Sequence, residues 1–161
     1  MQPIEMTPKD MNSSESDGSQ KHQVHSVDTS AFRSPEISAK PTKTLLVVDD
    51  EEAVLDLMVD LLRQQGYTVL QSGSAMEALR LATTTATIHL LITDLLMPEI
   101  NGIELTRRFR VVHPKTPVLI VSGSVAFLEM DLEHIEFLAK PFESSELLHK
   151  VHRLLHAAPL A

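Results

Sequence analysis

The chain has 161 residues, with 22 Asp and Glu against 14 Lys and Arg, nine prolines, five glycines and no cysteine. That length suits one ordinary domain with a tail, and the missing cysteine excludes a disulfide scaffold, a thiolate zinc site and a cysteine nucleophile. A formal charge of −8 argues against a general nucleic-acid binder, which needs a basic face to release counterions. The longest apolar runs, such as Leu45–Val48 and Val118–Val121, fall far short of the ~18 residues of a membrane span. No apolar core behind a basic start marks a secretory signal. A soluble, acidic, cytoplasmic protein is the expectation.

Residues 1–40 hold ten apolar residues and show no period of two or 3.6. Such a stretch cannot bury enough surface to offset its ordering entropy, so a disordered tail is expected there and the domain over 41–161. From Thr44 onward two kinds of segment alternate. Leu45–Val48, Leu90–Ile92 and Val118–Val121 are too continuous for half-exposed strands and too short for free helices, and read as buried parallel strands. Tyr67–Leu70 and Ile135–Leu138 are weaker strands, the second alternating with charge at His134 and Glu136, as suits a sheet edge. Between them, Val54, Leu57, Met58, Leu61 and Leu62 recur at helical steps until Gly66. Ser74 and Glu77 form a capping-box pattern ahead of Ala78, Leu79 and Ala82. Gly102 opens a third helix through Ile103, Leu105 and Phe109, closed by Pro114, and Leu147, Leu148, Val151, Leu154 and Leu155 mark the last one. Alternation of this kind predicts an α/β fold with a parallel sheet and helices on both faces.

In an open α/β sheet the binding crevice lies beyond the carboxyl ends of the strands. Asp49, Asp50 and Glu51 follow the first strand, Asp94 the third, Ser122 the fourth and Lys140 the fifth. Each has an ordinary reading alone: a turn former, a cap for the first helix, a solvated charge. Their joint position at one end of neighbouring strands favours a site. Carboxylates so placed repel unless a cation is bound, and a hard divalent ion such as Mg²⁺ fits oxygen ligands. The best chemical match is phosphoryl transfer to a carboxylate nucleophile, with Mg²⁺ and lysine spreading the charge.

These residues resemble the receiver domain of two-component response regulators. The resemblance rests on Leu45-Leu46-Val47-Val48-Asp49-Asp50-Glu51, Leu91-Ile92-Thr93-Asp94-Leu95-Leu96-Met97-Pro98 with Asn101-Gly102, Val121-Ser122-Gly123 and Leu138-Ala139-Lys140-Pro141-Phe142. It implies a flavodoxin-like, doubly wound five-stranded parallel sheet of order 2-1-3-4-5. It also implies that Asp94 is the phosphoacceptor, that Asp50 binds Mg²⁺ directly and Asp49 mostly through water, and that Asp94 and the backbone carbonyl of Leu96 complete the metal ligands. Ser122 would follow the phosphoryl group, Lys140 would bond to it, and Phe137 stands at the aromatic switch position. A cis Lys140-Pro141 bond is implied as well, at modest cost for an X-Pro peptide.

Two departures stand out. Ser122 to Lys140 is shorter than the family's spacing by roughly one helical turn, which predicts a shortened fourth helix near Val125–Met130. Leu96 is apolar where many relatives carry a polar side chain, and a long-lived phosphorylated form is the expected result. The donor implied is a sensor histidine kinase or a histidine phosphotransfer protein, and the downstream target an unspecified protein. With Ala161 directly after the last helix and no helix-turn-helix in view, the expectation is a stand-alone switch without a DNA-binding domain, rather than a turnover enzyme. A dehalogenase-like phosphatase wants Asp-x-Asp after the first strand, and Asp49-Asp50-Glu51 does not supply it. An interaction module independent of phosphorylation is the remaining alternative. His149, His152 and His156 read as a solvated helix end rather than a metal site, and Arg107, Arg108 and Arg110 as a solvated face.

Overall fold

The computed structural model describes residues 42–124 and 135–156. The tail expected over 1–40 and the shortened helix expected near Val125–Met130 lie outside them. The described residues all belong to one compact unit, Ala39–Ala161. Its elements in chain order are β1 (Thr44–Val48), α1 (Glu52–Gln64), β2 (Thr68–Ser72), α2 (Ala75–Thr84), β3 (Leu90–Asp94), α3 (Gly102–Val112), β4 (Val118–Ser122), β5 (Ile135–Ala139) and α4 (Ser144–His156).

The five strands form one sheet in the order β2-β1-β3-β4-β5, and every pairing is parallel. Alternate residues of each strand project to opposite faces, so an unbroken apolar run serves two cores at once. Leu45 and Val47 of β1, Leu90 and Ile92 of β3, and Leu119 and Val121 of β4 pack with Leu55, Met58, Val59 and Leu62 of α1 and with Leu147 and Val151 of α4. Leu46, Val48, Leu91, Val118 and Ile120 pack on the other face with Ala75, Ala78 and Ala82 of α2 and with Leu105 and Phe109 of α3. This is the doubly wound architecture that the alternation implied.

The helix boundaries have local causes. After α1, Gly66 at φ +84° donates to Arg63 O at 2.9 Å while Tyr67 N donates to Leu62 O at 3.3 Å. These paired bonds make a Schellman ending, which needs a left-handed residue and so selects glycine. At α2 the expected capping box is half formed. Ser74 Oγ accepts from Glu77 N at 3.3 Å, but Ser74 N donates to Ser72 Oγ at 3.2 Å rather than to the Glu77 carboxylate. The Ser72 hydroxyl, buried at the end of β2, takes the place that Glu77 fills in the usual motif. The weaker strands also run further than their patterns suggested, β2 to Ser72 and β5 to Ala139, because ladder bonds to their neighbours carry the backbone past the last apolar residue.

Side chains from the flanking helices meet both edge strands. Thr68 N donates to Lys43 O and Ser72 O accepts from Asp49 N, so the intervening backbone groups of β2 at Val69 and Gln71 turn outward. There Arg63 of α1 donates to Val69 O at 3.3 Å and to Gln71 Oε1 at 3.1 Å. At the opposite edge, Glu136 of β5 pairs with Lys150 and Arg153 of α4.

Candidate functional site

The carboxyl ends of β1, β3, β4 and β5 meet at one rim. Asp49 follows β1, Asp94 and Ser122 are the last residues of β3 and β4, and Lys140 follows β5. The sheet register places Asp94 opposite Val121 and Ser122 opposite Ala139, which brings residues far apart in sequence to the same level. Asp49 is 0% exposed and Asp94 6% exposed, unusual values for carboxylates.

What holds them is Lys140. Its Nζ lies 2.8 Å from Asp49 Oδ2 and 3.0 Å from Asp94 Oδ1. The other oxygen of each carboxylate takes a backbone amide: Asp49 Oδ1 accepts from Glu51 N at 2.9 Å, and Asp94 Oδ2 accepts from Leu96 N at 2.9 Å. Burial raises the Asp49 carboxyl above its ordinary value, against the pull of Lys140 and the Glu51 amide. For Lys140, burial disfavours the ammonium, but its bonds to Asp49 and Asp94 outweigh this and its pKa is raised. Two carboxylates therefore share one fixed cation.

Lys140 is fixed twice, since its own N–H donates to Ser122 O at 2.8 Å. Ser122 Oγ accepts from Ser124 N at 3.0 Å, a bond that does not use the hydroxyl proton. The Lys140-Pro141 peptide is cis. Phe137, opposite Ile120 in the register, is half-buried against the α2–α3 core.

The remaining expected residues take different places. Asp50 is exposed beside Asp49 and takes no part in the ion pairs of Lys140. Neither Asp49 nor Asp50 caps α1, whose N-cap is Glu51 without a side-chain bond. The Leu96 side chain is 61% exposed, while its amide works inside the site. Beyond it, Ile100 N donates to Pro98 O at 2.7 Å around Glu99 at φ +64°, a tight three-residue turn that L-residues rarely adopt. His149, His152 and His156 are exposed on α4, with His152 and His156 stacked at 4.1 Å. Arg107 and Arg108 converge on Glu104.

The fit to a hard cation follows from charge and ligand type. Asp49, Asp50 and Asp94 against Lys140 leave an excess of negative charge at the rim, and oxygen ligands are the only kind offered. No group of three His, Cys, Asp or Glu side chains among the described residues is gathered as a ligand cluster. The negative charge and the oxygen ligands suit Mg²⁺, which keeps several waters and needs only one or two carboxylates. The two amide donors, Glu51 N and Leu96 N, leave no mark in the sequence, because every residue but proline carries the same N–H.

Comparisons with known proteins identify the family. The response regulator receiver domain model matches residues 45–152. The alkaline phosphatase synthesis transcriptional regulatory protein PhoP of Bacillus subtilis is 29% identical over 123 residues, covering 74% of this chain and 51% of that protein. The sensor kinase CckA of Brucella abortus is 36% identical over 118 residues, covering 70% of this chain and 12% of its own length. Among solved structures, the response regulator TrrA of Thermotoga maritima, crystallised in complex with Mg²⁺–BeF, is similar with a TM-score of 0.65 and 28% identity, covering 71% of this chain and all of that one. The chain spans about half the length of PhoP and far less of CckA. No described helix is long and apolar enough to cross a membrane.

Proposed function

This chain belongs to the response regulator receiver domain family, and from that premise we propose that it accepts a phosphoryl group on Asp94 from the phosphohistidine of a sensor histidine kinase or histidine phosphotransfer protein. The phosphoryl group passes from an imidazole nitrogen to an Asp94 carboxylate oxygen. The P–N bond breaks as the P–O bond forms, and the imidazole leaves with the electron pair. Mg²⁺, held by Asp50, Asp94 and the Leu96 carbonyl and reached by Asp49 mostly through water, would neutralise charge on the group in transfer.

The observation that carries this reading is the Lys140 ammonium, 2.8 Å and 3.0 Å from the carboxylates of Asp49 and Asp94. In the unmodified chain it offsets part of their charge. Once Asp94 carries the phosphoryl group as an acyl phosphate, the same ammonium would be in reach of phosphoryl oxygens. The Leu96 amide holds the acceptor carboxylate in one orientation, which lowers the cost of reaching the attack geometry. The Ser122 hydroxyl supplies a neutral donor from the β4 end. Movement of Ser122 would be felt at Phe137 through the β4–β5 ladder, and since phenylalanine has no hydroxyl, any switch there works through packing. The output is a changed protein-interaction surface, and the chain acts as a switch in the cytoplasm. A phosphorylation-independent module would need none of Asp49, Asp94, Ser122 and Lys140 in this arrangement.

Intact mass after incubation with Mg²⁺ and acetyl phosphate tests the proposal. One added phosphoryl group is expected, absent in Asp94→Asn and lost with a chelator. A folded wild type that takes no adduct from acetyl phosphate or a phosphohistidine donor would overturn it.

A further inference from the structure

Gly102 begins α3, eight residues after Asp94, and nothing in its backbone angles requires glycine: among the described residues only Gly66 and Glu99 have positive φ. Its need is spatial. A Cβ on Gly102 would lie 2.3 Å from the carbonyl oxygen of Asp94, 3.1 Å from the Asp94 carbonyl carbon and 3.1 Å from Leu95 Cα. All three contacts are backbone, so no side chain can swing away. The first turn of α3 therefore rests directly on the peptide that follows the acceptor residue.

Gly102 is also held in place. Its N–H donates to Leu95 O at 2.9 Å. Its carbonyl accepts from the buried hydroxyl of Thr106 at 2.7 Å, and the turn is capped by Asn101 Oδ1 on Glu104 N at 2.9 Å. The peptide it touches is anchored too: Thr93 Oγ1 donates to Asp94 O at 2.9 Å and Leu95 N donates to Val121 O at 3.1 Å. One residue further on, Leu96 N grips the Asp94 carboxylate. A shift of the Asp94–Leu95 peptide is thus passed to the carboxylate, and from there to the pairing with Lys140.

We infer that Gly102 is a positioning residue for Asp94: the absence of a side chain lets α3 press on the Asp94–Leu95 peptide and so fixes the acceptor carboxylate against Lys140 and the Leu96 amide. This rests on the reading of Asp94 as phosphoacceptor for its catalytic consequence, though not for its geometry. A Cβ must displace either the helix or the peptide, and with both anchored the displacement is shared by the site.

The test compares Gly102→Ala with Gly66→Ala. The second variant strains a left-handed position with open space around it, so it destabilises the chain without touching the rim. Both are measured where circular dichroism shows them fully folded. Gly102→Ala is expected to slow phosphorylation by acetyl phosphate at saturating Mg²⁺ by about tenfold, as misplacement of a reacting group does, and to move the Leu96 amide resonance. Gly66→Ala is expected to change neither. Equal rates and an unmoved Leu96 amide in Gly102→Ala would overturn the inference. If Gly102→Ala does not fold, Thr106→Val decides: loss of the anchor on the Gly102 carbonyl is expected to slow the reaction two- to threefold, and an unchanged rate counts against the inference. If the wild type takes no phosphoryl group, the acceptor reading falls, while the Leu96 resonance still decides the placement.

Discussion

The two ends of the sheet close their backbones by opposite means. At the amino ends of β1 and β3, His89 and Thr44 exchange neutral bonds: His89 N donates to Thr44 O at 2.8 Å and Thr44 N donates to His89 Nδ1 at 3.0 Å. Nearby, Thr116 Oγ1 donates to Ile88 O at 2.9 Å. At the carboxyl ends the buried groups are charged, with Asp49 and Asp94 sharing Lys140. At the amino end these bonds pair neutral donors with neutral acceptors. The charged end has carboxylates that burial penalises and a cation divided between them. It can lower its energy by taking up a proton, a metal or a phosphoryl group, and that surplus is what makes it reactive.

The contrast is broken most severely by removing the shared cation. Lys140→Met should slow phosphorylation about a hundredfold through lost charge stabilisation, read as adduct formation by mass. It should also cost about 2 kcal/mol in urea unfolding, less than a fully buried pair would, because the ammonium is partly solvated. Added Mg²⁺ should restore part of that stability.

At the same end, Leu96→Asn would place a polar group beside the phosphorylated acceptor, where it can orient water. The adduct should decay about tenfold faster. An unchanged decay rate would remove Leu96 as the source of a long-lived phosphorylated form.

The neutral end yields a smaller and differently signed effect. His89→Ala should cost about 1 kcal/mol by leaving the Thr44 N–H without its acceptor. Burial, and then the charge of Lys43, hold His89 below its ordinary value of 6.5, and the bond from Thr44 N requires an unprotonated Nδ1. The unfolded chain thus binds this proton first. The stability from His89 is full above pH 6.5 and is lost as pH falls through the lower folded value. Asp49 has the opposite sign: its raised carboxyl binds a proton in the folded chain first, so its contribution improves as pH falls through its folded value toward 3.8. Unfolding curves of the wild type, His89→Ala and Asp49→Asn across pH 4–8 would separate the two. The smallest effect is expected at Glu99, where φ +64° makes Glu99→Gly stabilising by about 0.5 kcal/mol, strain relief slightly exceeding the added chain entropy.

The strand pattern, the two-faced packing and the positions of Asp49, Asp94, Ser122 and Lys140 were legible because each depends on residue type at a strand end. The apolar runs at Leu45–Val48 and Val118–Val121 could hardly be anything but buried strands. What was not legible depends on through-space distance. Nothing in the sequence says that Gly102 lies against Asp94 O, or that Ser72, an inconspicuous polar residue ending an edge strand, replaces Glu77 in capping α2. The amides of Glu51 and Leu96 escaped for the same reason. Asp50 shows the reverse: its neighbour is buried and paired, while Asp50 itself faces solvent, a difference that adjacent identical letters cannot carry.

Arg63 has a consequence for how this chain can meet another. A parallel sheet with an open flank is a template on which a foreign strand can continue the ladder. At β2 the outward carbonyl of Val69 is already taken by Arg63, whose guanidinium also stands over the next outward position through Gln71. A visiting strand would have to displace a charged group before making its first bond. Association at this flank is therefore steered away from backbone pairing and left to side chains, whose identity differs from one protein to the next.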